Sequence, residues 1–235
     1  MNNRFRWGPV TLYNLGASLY DLLTTQEYWS ESVRRLAGQF QSGRPDLKIL
    51  DLGCGAGVSA FAVAERFAGA EVVGIDIAEK MIEKARFHHR SDFPHLRNVR
   101  FEQADAASLP FGAQTFDIAI GHSFLYLVPQ PERVLREANR VLKRGGQLVL
   151  MEPHADGSLW RTIFRRTDYV GKLLAKPGPT FRFILSIVAW RLFSSFQGQI
   201  SSRYARQLFE GAGFGRISTR PTLDHLGLYC IGFAV

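Results

Sequence analysis

Cysteine is scarce in this sequence, where only Cys54 and Cys230 occur among 235 residues. Cys54 lies in a glycine-rich turn and Cys230 in the last apolar run, so the pair offers neither a disulfide framework nor the close spacing of metal ligands. We therefore expect no metal site and a reducing, cytoplasmic environment.

The sequence also lacks an apolar run long enough to cross a bilayer. The longest strongly apolar stretch, FRFILSIVAWRLF at 181–193, is interrupted by Arg182 and Arg191, whereas a spanning helix needs roughly 20 apolar residues. The first residues, MNNRFR, lead into GPVTLYNL without the apolar core of a signal peptide. These features predict a soluble globular protein, long enough for one domain with an elaboration.

One segment of the chain has almost no acidic residues. Residues 161–206 contain nine lysines and arginines against one acid, Asp168, a difference that equals the whole chain's formal net charge of +8. The basic character is therefore local. Such a segment could face nucleic acid, an anionic lipid surface or an acidic substrate.

Short apolar runs alternate with helix-like patterns between residues 48 and 153. The runs predict strands at 48–53, 71–76, 98–105, 116–122 and 147–153, and the patterns between them predict helices at 58–67, 78–90 and 131–146. Strands that alternate with helices imply right-handed crossovers and a parallel sheet with helices on both faces. The sequence therefore predicts a doubly wound α/β domain.

Both ends of the chain depart from this alternation. Residues 154–200 show no strand signal, and they precede a predicted helix at 201–214 and two β-like runs, GRISTRP and HLGLYCIGFAV. Residues 10–42 have a helical pattern. We expect residues 1–46 to form a helical extension over the active site, and residues 47–235 to form the main domain with a lid inserted at 154–200.

Three glycines occupy five positions in ILDLGCGAG, directly after the first predicted strand. In an open parallel sheet this turn is where backbone approaches a ligand, and glycine permits the closest approach. A dinucleotide fingerprint would place its third glycine at position 58, which is Val58 here. The pattern indicates a different cofactor, and a tight packing turn is the alternative.

Aspartates end the next two predicted strands beside this turn. Asp76 follows the turn by about twenty residues, the position where a carboxylate accepts both hydroxyls of a ribose. Asp105 precedes Ala106 and suits an adenine edge, and Asp51 inside the first strand could steer a cationic group or brace the turn. Any one of these aspartates could instead be a helix cap or a turn former.

With these residues in place, the chain resembles the class I S-adenosylmethionine-dependent methyltransferases, in the branch of the menaquinone and ubiquinone C-methyltransferases. The similarity covers roughly residues 47–153, through ILDLGCGAG, GIDIAEKMIEKA, QADAASLPF, FDIAIGHSFLYLV and VLREANRVLKRGGQLVLMEP. It implies a Rossmann-like, seven-stranded sheet, mostly parallel with an antiparallel last strand. It also implies S-adenosyl-L-methionine as cofactor and S-adenosyl-L-homocysteine as product.

The resemblance further implies a cofactor site. The glycine turn would pass under the methionine part of the cofactor, and Asp76 would hold the ribose hydroxyls. Ile77 and Met81 would flank the adenine, and Tyr20 in SLYDLL would close over the cofactor. The whole expected set comprises Tyr20, Asp51, Gly53, Cys54, Gly55, Ala56, Gly57, Asp76, Ile77, Met81, Asp105, Ala106 and His122.

Methyl transfer of this kind needs alignment and exclusion of water more than a protein nucleophile. A general base helps when the acceptor is a hydroxyl or an acidic carbon, and His122 after the fourth strand is the first candidate. The alternative is that His122 contacts the cofactor or caps a helix. Tyr126 and His154 are further candidates, although Tyr126 stands among apolar residues and could be core.

The acceptor is less clearly marked. The sequence has GHSF where methylators of nucleic-acid bases carry Asn-Pro-Pro-Tyr or Asp-Pro-Pro-Tyr, which leaves a small molecule as the expected acceptor. The aromatic run at 181–196 could be a buried lid or could lie in a membrane interface. Either role suits a hydrophobic quinone-, lipid- or polyketide-like acceptor.

Two other function classes stay open at this point. A nucleic-acid methyltransferase or binder would use residues 161–206 electrostatically, although no separate recognition module is present. A scaffold that keeps the cofactor pocket without catalysis is also compatible with the sequence, because a fold does not guarantee a reaction. The sequence leaves the oligomeric state open.

Overall fold

Seven strands form a single sheet in the computed structural model, which describes residues 27–40, 44–158 and 177–235. The strands are β1 Lys48–Leu52, β2 Glu71–Asp76, β3 Val99–Gln103, β4 Phe116–His122, β5 Leu142–Pro153, β6 Phe214–Thr222 and β7 Gly227–Ala234. The helices of the described residues are α1 Glu27–Ala37, α2 Val58–Arg66, α3 Glu79–Ser91, α4 Pro131–Val141, α5 Pro177–Gln197 and α6 Ser202–Gly211, with a 3-10 turn at Leu125–Leu127.

The strand order is β3-β2-β1-β4-β5-β7-β6. Strands β1 to β5 are parallel, and β7 runs antiparallel to both β5 and β6. The order reverses between β1 and β4, so a crevice opens outside the carboxyl ends of these two strands. The predicted fold class, a mostly parallel doubly wound sheet with an antiparallel last strand, is confirmed.

Apolar side chains of the central strands serve both faces of the sheet. Ile49 and Leu50 are neighbours on β1 and fully buried, and they belong to two different clusters because successive strand residues point to opposite faces. Ile49 packs with residues of α2 and α3, and Leu50 packs with residues of α4 and α6. The sheet is therefore covered on both sides, as a parallel sheet requires.

Several element boundaries differ from the predicted ones. The helix expected to reach residue 146 ends at Val141, and β5 begins at Leu142. Residues 143–146 bulge out of the ladder, since Phe116 pairs with Leu142 and Ile118 pairs with Gln147. Gly145 adopts φ +75° there, so this glycine belongs to a bulge and not to the end of a helix. Strand β3 ends two residues before Asp105, and α6 ends at Gly211.

The two covering segments are described only in part. Helix α1 lies within the expected N-terminal extension, and Leu36 at its end packs into the same cluster as Ile49. Helix α5 lies within the expected lid, and Trp190 of this helix belongs to that cluster. Across the described ranges, no helix combines the length and the apolar character that a membrane span requires.

Candidate active site

A cavity of about 260 Å³ lies at the carboxyl ends of β1 to β4. Its volume is close to the lower end of the roughly 300–1,000 Å³ that ligand pockets occupy. Its wall is built from four consecutive strand ends and the start of α4: Gly53 and Gly55, Ile75–Ile77, Ala104–Ala107, Ser123 with Phe124 and Leu127–Gln130, and Arg133 with Val134. Most of these side chains are apolar, with Asp76, Asp105 and Arg133 as the charged exceptions.

The glycine turn is shaped by what packs against it. Gly53 has φ +65°, and a Cβ at this position would lie 2.7 Å from Cβ of Phe124. Gly57 has φ +94°, and its Cβ would lie 2.7 Å from Cε2 of Phe61. Glycine is required at both positions, by the left-handed backbone and by the neighbouring ring. The space that a side chain at position 53 would occupy is therefore taken up by the cavity and by the side chain of Phe124.

Asp76 ties the glycine turn to the end of β2. Its Oδ2 accepts a hydrogen bond from the backbone N of Gly55 at 3.0 Å, and its Oδ1 accepts one from the N of Ala78 at 2.9 Å. Burial raises the pKa of Asp76 above its ordinary value, while the amide donors act in the opposite direction. Asp76 also lines the cavity, and a carboxylate offers about four acceptor positions, so it can accept hydrogen bonds from a ligand as well.

The loop after β3 supplies another part of the cavity wall. Asp105 is exposed and lines the cavity, and its Oδ1 accepts a hydrogen bond from the N of Ala107 at 2.8 Å. Ile77 is 43% exposed and lines the cavity together with Ala106. Six of the expected cofactor residues are thus brought together: Gly53, Gly55, Asp76, Ile77, Asp105 and Ala106.

The remaining expected cofactor residues lie elsewhere. Tyr20 lies outside the described residues. Met81 is only 1% exposed, on the buried face of α3. The wall of the cavity does not include the others, which lie in β1, in the glycine turn and at the end of β4: Asp51, Cys54, Ala56, Gly57 and His122.

Asp51 is a fully buried carboxyl group behind the turn. Its Oδ2 accepts a hydrogen bond from Oγ of Ser59 at 2.5 Å, and within the described part of the chain its Oδ1 has no hydrogen-bond partner. Burial raises the pKa of Asp51 to about 7, and the nearby charge of Asp76 acts in the same direction. The group therefore braces the start of α2 from inside the protein.

His122 ends β4 and connects the sheet to α1. Its Nε2 lies 2.9 Å from Oγ of Ser32. Burial lowers the pKa of His122 to about 3, so the imidazole is neutral near pH 7 and is a weak base. The geometry favours a hydrogen-bonding role, and its role as a general base stays a prediction.

The other two candidate bases are buried. Tyr126 is 8% exposed, and its backbone N donates to Glu152. His154 is 6% exposed, and its Nδ1 lies 3.1 Å from the carbonyl oxygen of His225. A carbonyl only accepts, so Nδ1 is the donor in this contact. Neither residue lines the cavity, and their catalytic roles stay predictions.

Glu152 is a site residue that sequence reasoning missed. It is fully buried at the end of β5 and accepts hydrogen bonds from the backbone N of three consecutive residues, Phe124, Leu125 and Tyr126. Burial raises the pKa of Glu152 to about 8, while these amides act in the opposite direction. In the sequence, Glu152 directly follows the apolar run LVLM. An acid in this position is equally typical of the exposed end of a strand, so the pattern did not predict a buried carboxyl group.

Helix α5 is bonded directly to the wall of the cavity. The Nε1 of Trp190 donates to Oγ of Ser123 at 3.1 Å, and Ser123 itself adopts φ +60°. Arg191 on the same helix donates to the carbonyl oxygens of His154 and Gly157. Helix α5, which lies within the segment expected to form a lid, is therefore hydrogen-bonded to the cavity wall.

The arrangement suits a ligand with a polar hydroxylated part and a flat apolar part. Asp76 and Asp105 accept hydrogen bonds at neighbouring strand ends, and the apolar side chains of Ile77 and Ala106 lie beside them. The described residues contain no group of acids, histidines and cysteines that could hold a metal ion. The acceptor oxygens and apolar side chains of the cavity wall are suited to holding and orienting such a ligand.

Comparison with known proteins identifies relatives. The sequence profile of a family described as "Methyltransferase domain" matches residues 44–213. A demethylmenaquinone methyltransferase of Thermus thermophilus is 34% identical over 177 residues, which cover 72% of this chain and 79% of the relative. A ubiquinone biosynthesis O-methyltransferase of Pseudomonas aeruginosa is 30% identical over 166 residues, which cover 70% of this chain and 66% of the relative. The solved structure of a SAM-dependent methyltransferase from Aquifex aeolicus is similar with a TM-score of 0.63 at 17% identity, covering 97% of this chain and 100% of that chain.

Proposed function

The chain belongs to the class I S-adenosylmethionine-dependent methyltransferases, in the branch similar to menaquinone and ubiquinone enzymes, and we propose that it methylates a small hydrophobic, quinone-like acceptor. The observation that carries the proposal is the cavity in which the glycine turn, Asp76 and Asp105 meet. Membership of the family identifies S-adenosylmethionine as the methyl donor. The apolar cavity and the proposed lid favour a hydrophobic acceptor.

The residues of the cavity fit the cofactor by their donor and acceptor chemistry. When bound, S-adenosylmethionine supplies an electrophilic methyl group on a sulfonium. We assign Asp76 to the ribose hydroxyls and Asp105 to the amino edge of the adenine. Ile77 and Ala106 provide the apolar surfaces beside the ring, and the turn at Gly53 and Gly55 leaves room for the methionine part.

The acceptor is proposed from two kinds of support. The names of the two relatives describe demethylmenaquinone methylation and O-methylation in ubiquinone biosynthesis, which favours a quinone-like acceptor here. Helix α5, in the lid at 154–200, reaches the cavity wall through Trp190 and Ser123. In this proposal the lid and the extension at 1–46 exclude water and align the acceptor with the methyl group.

Calorimetry with S-adenosylhomocysteine tests the cofactor site. Wild type should bind, and Asp76→Ala should bind about 10- to 100-fold more weakly, because hydrogen bonds to a charged acceptor contribute about 1.5–3 kcal/mol each. Asp46→Ala is the matched control, since Asp46 is exposed and pairs with Arg44 away from the cavity. Absence of binding to wild type would overturn the proposal.

A transfer assay with tritium-labelled methyl donor tests the acceptor. Label should enter a quinone-containing fraction of a lipid extract and should stay out of RNA and protein. Label in RNA would favour the nucleic-acid alternative instead. Cofactor binding without transfer to any lipid, quinone or polyketide fraction would favour a non-catalytic scaffold.

Peripheral contact with an anionic membrane is a second proposal, favoured by the exposed face of α5. Leu185, Leu192 and Phe196 are 55%, 53% and 76% exposed, and their spacing places them on one face of the helix. The basic segment 161–206 supplies the complementary charge. Co-sedimentation with anionic vesicles should fall when Leu192 and Phe196 are replaced by serine, or when Arg165, Arg166, Lys172 and Lys176 are reversed in charge. Unchanged binding in both variants would contradict this contact.

A further inference from the structure

Glu152 carries an unusual hydrogen-bonding arrangement. Its side chain is fully buried, and its two carboxyl oxygens accept from the amides of Phe124, Leu125 and Tyr126 at 3.3, 3.0 and 3.3 Å. Within the described residues no lysine, arginine or histidine pairs with it. Three donors from one short turn are therefore satisfied by a single side chain from the neighbouring strand.

Burying the carboxyl group of Glu152 is energetically unfavourable unless it stabilises the turn. A carboxyl group is more expensive to bury than an apolar side chain of similar volume, even where its hydrogen bonds are made. Replacing it with an apolar side chain would leave three buried N–H groups without acceptors. Glu152 is thus suited to fixing the turn in one geometry, with Ser123 just before it held at φ +60°.

The turn that Glu152 holds forms part of the cavity. Ser123, Phe124 and Leu127 line it. Phe124 also packs against the positions of Gly53 and Gly121, where an added Cβ would collide with its side chain. A shift of the turn would therefore move Phe124 relative to the glycine turn and change the width of the cavity between them.

We infer that Glu152 is a positioning residue for cofactor binding, which sets the distance between the Phe124–Tyr126 turn and the glycine turn. The inference rests on the proposed function, because the cavity is taken as the cofactor site. In this role Glu152 does not contact the cofactor itself, because it does not line the cavity. It acts through the three amides and through Phe124.

Glu152→Gln tests the inference with little change of volume. The substitution replaces one acceptor oxygen with an NH₂ donor that would face a backbone N–H, so the turn must shift. We expect the Kd for S-adenosylhomocysteine, measured by calorimetry on folded protein, to rise about tenfold or more, as for a buried donor left unsatisfied. Val149→Ala is the matched control, since Val149 is fully buried on the same strand and away from the cavity.

The outcomes separate the two proposals. If wild type binds and only Glu152→Gln weakens binding, the positioning role is supported. If Val149→Ala weakens binding as much, or Glu152→Gln binds like wild type, the positioning role is wrong while the proposed function stands. If wild type does not bind, the proposed function itself fails.

Hydrogen exchange on wild type gives a test that needs no variant. The amides of residues 124–126 should exchange as slowly as those of β4 and β5, and S-adenosylhomocysteine should slow them further. Fast exchange of these three amides, or no response to the ligand, would overturn the inference even if Glu152→Gln fails to fold.

Discussion

The partly buried histidine at the end of β4 predicts how stability depends on pH. The pKa of His122 is about 3 in the folded protein, because burial disfavours the imidazolium, and about 6.5 in an unfolded chain. Between these values the unfolded state binds the additional proton. Stability from this group is therefore complete above about pH 6.5 and is lost progressively as the pH falls towards 3.

The size of the pKa shift of His122 sets the magnitude of this effect on the free energy of unfolding. A difference of about 3.5 units corresponds to about 5 kcal/mol at 1.36 kcal/mol per unit. This is an upper figure, because local opening around His122 would let the imidazole take up a proton without global unfolding. Asp51 and Glu152 have raised pKa values of about 7 and about 8. They titrate with the opposite sign over an overlapping range. Only a comparison with a His122 variant isolates the histidine.

His122→Gln is the appropriate variant, since glutamine does not titrate and can still form a hydrogen bond with Ser32. Urea unfolding followed by circular dichroism at pH 4, 5, 6, 7 and 8 gives the free energy of unfolding of both proteins. The advantage of wild type over the variant should shrink by about 1.4 kcal/mol for each unit below pH 6. An advantage that is constant, or that grows as the pH falls, would refute the reasoning and indicate a histidine that is charged in the folded protein.

Two further substitutions test the glycine turn and the carboxyl group behind it. Gly53→Ala should destabilise the protein by about 2–5 kcal/mol, from the left-handed backbone and the overlap with Phe124, and should weaken S-adenosylhomocysteine binding in calorimetry. Gly211→Ala, which meets nothing within 4 Å, is its control, and equal effects of the two would contradict the packing argument. Asp51→Asn should gain stability relative to wild type as the pH rises from about 4 to about 7, because the pKa of Asp51 is raised by burial from 3.8 to about 7 and wild type loses stability over that window. The same urea series measures it, and a relative gain towards low pH would reject the buried, uncompensated state of this carboxyl group.

Most of the sheet could be predicted from local patterns. Strands β1, β2 and β4 were predicted to within one residue because each is a short, largely apolar run bounded by turn residues, as buried parallel strands are. The end of α4 was placed five residues late. LKRGG reads as a helix end with a glycine cap, whereas pairing of Leu142 with Phe116 and of Gln147 with Ile118 makes it a bulged strand. Strand partners are distant in sequence, so local pattern could not reveal this choice.

The candidate site was predictable where its residues follow strands. Gly53, Gly55, Asp76, Ile77, Asp105 and Ala106 come from three strand ends that a parallel sheet must bring to one edge, and the structure places all six on one cavity. Met81 and Asp51 have similar positions in the sequence, but they point into the interior. A residue's distance from a strand end does not determine whether its side chain faces the cavity or the core.

The sequence alone determined the order of strands and helices, the glycine turn and the acids that follow neighbouring strands, because these depend on spacing along the chain. Only the tertiary structure decided which groups are buried and which face each other. It showed that Phe124 fills the space beside Gly53, that His122 is a neutral imidazole bonded to Ser32, and that Glu152 holds three amides of another loop. Burial and contact between distant segments set the pKa values and the shape of the cavity, and neither is a property of local sequence.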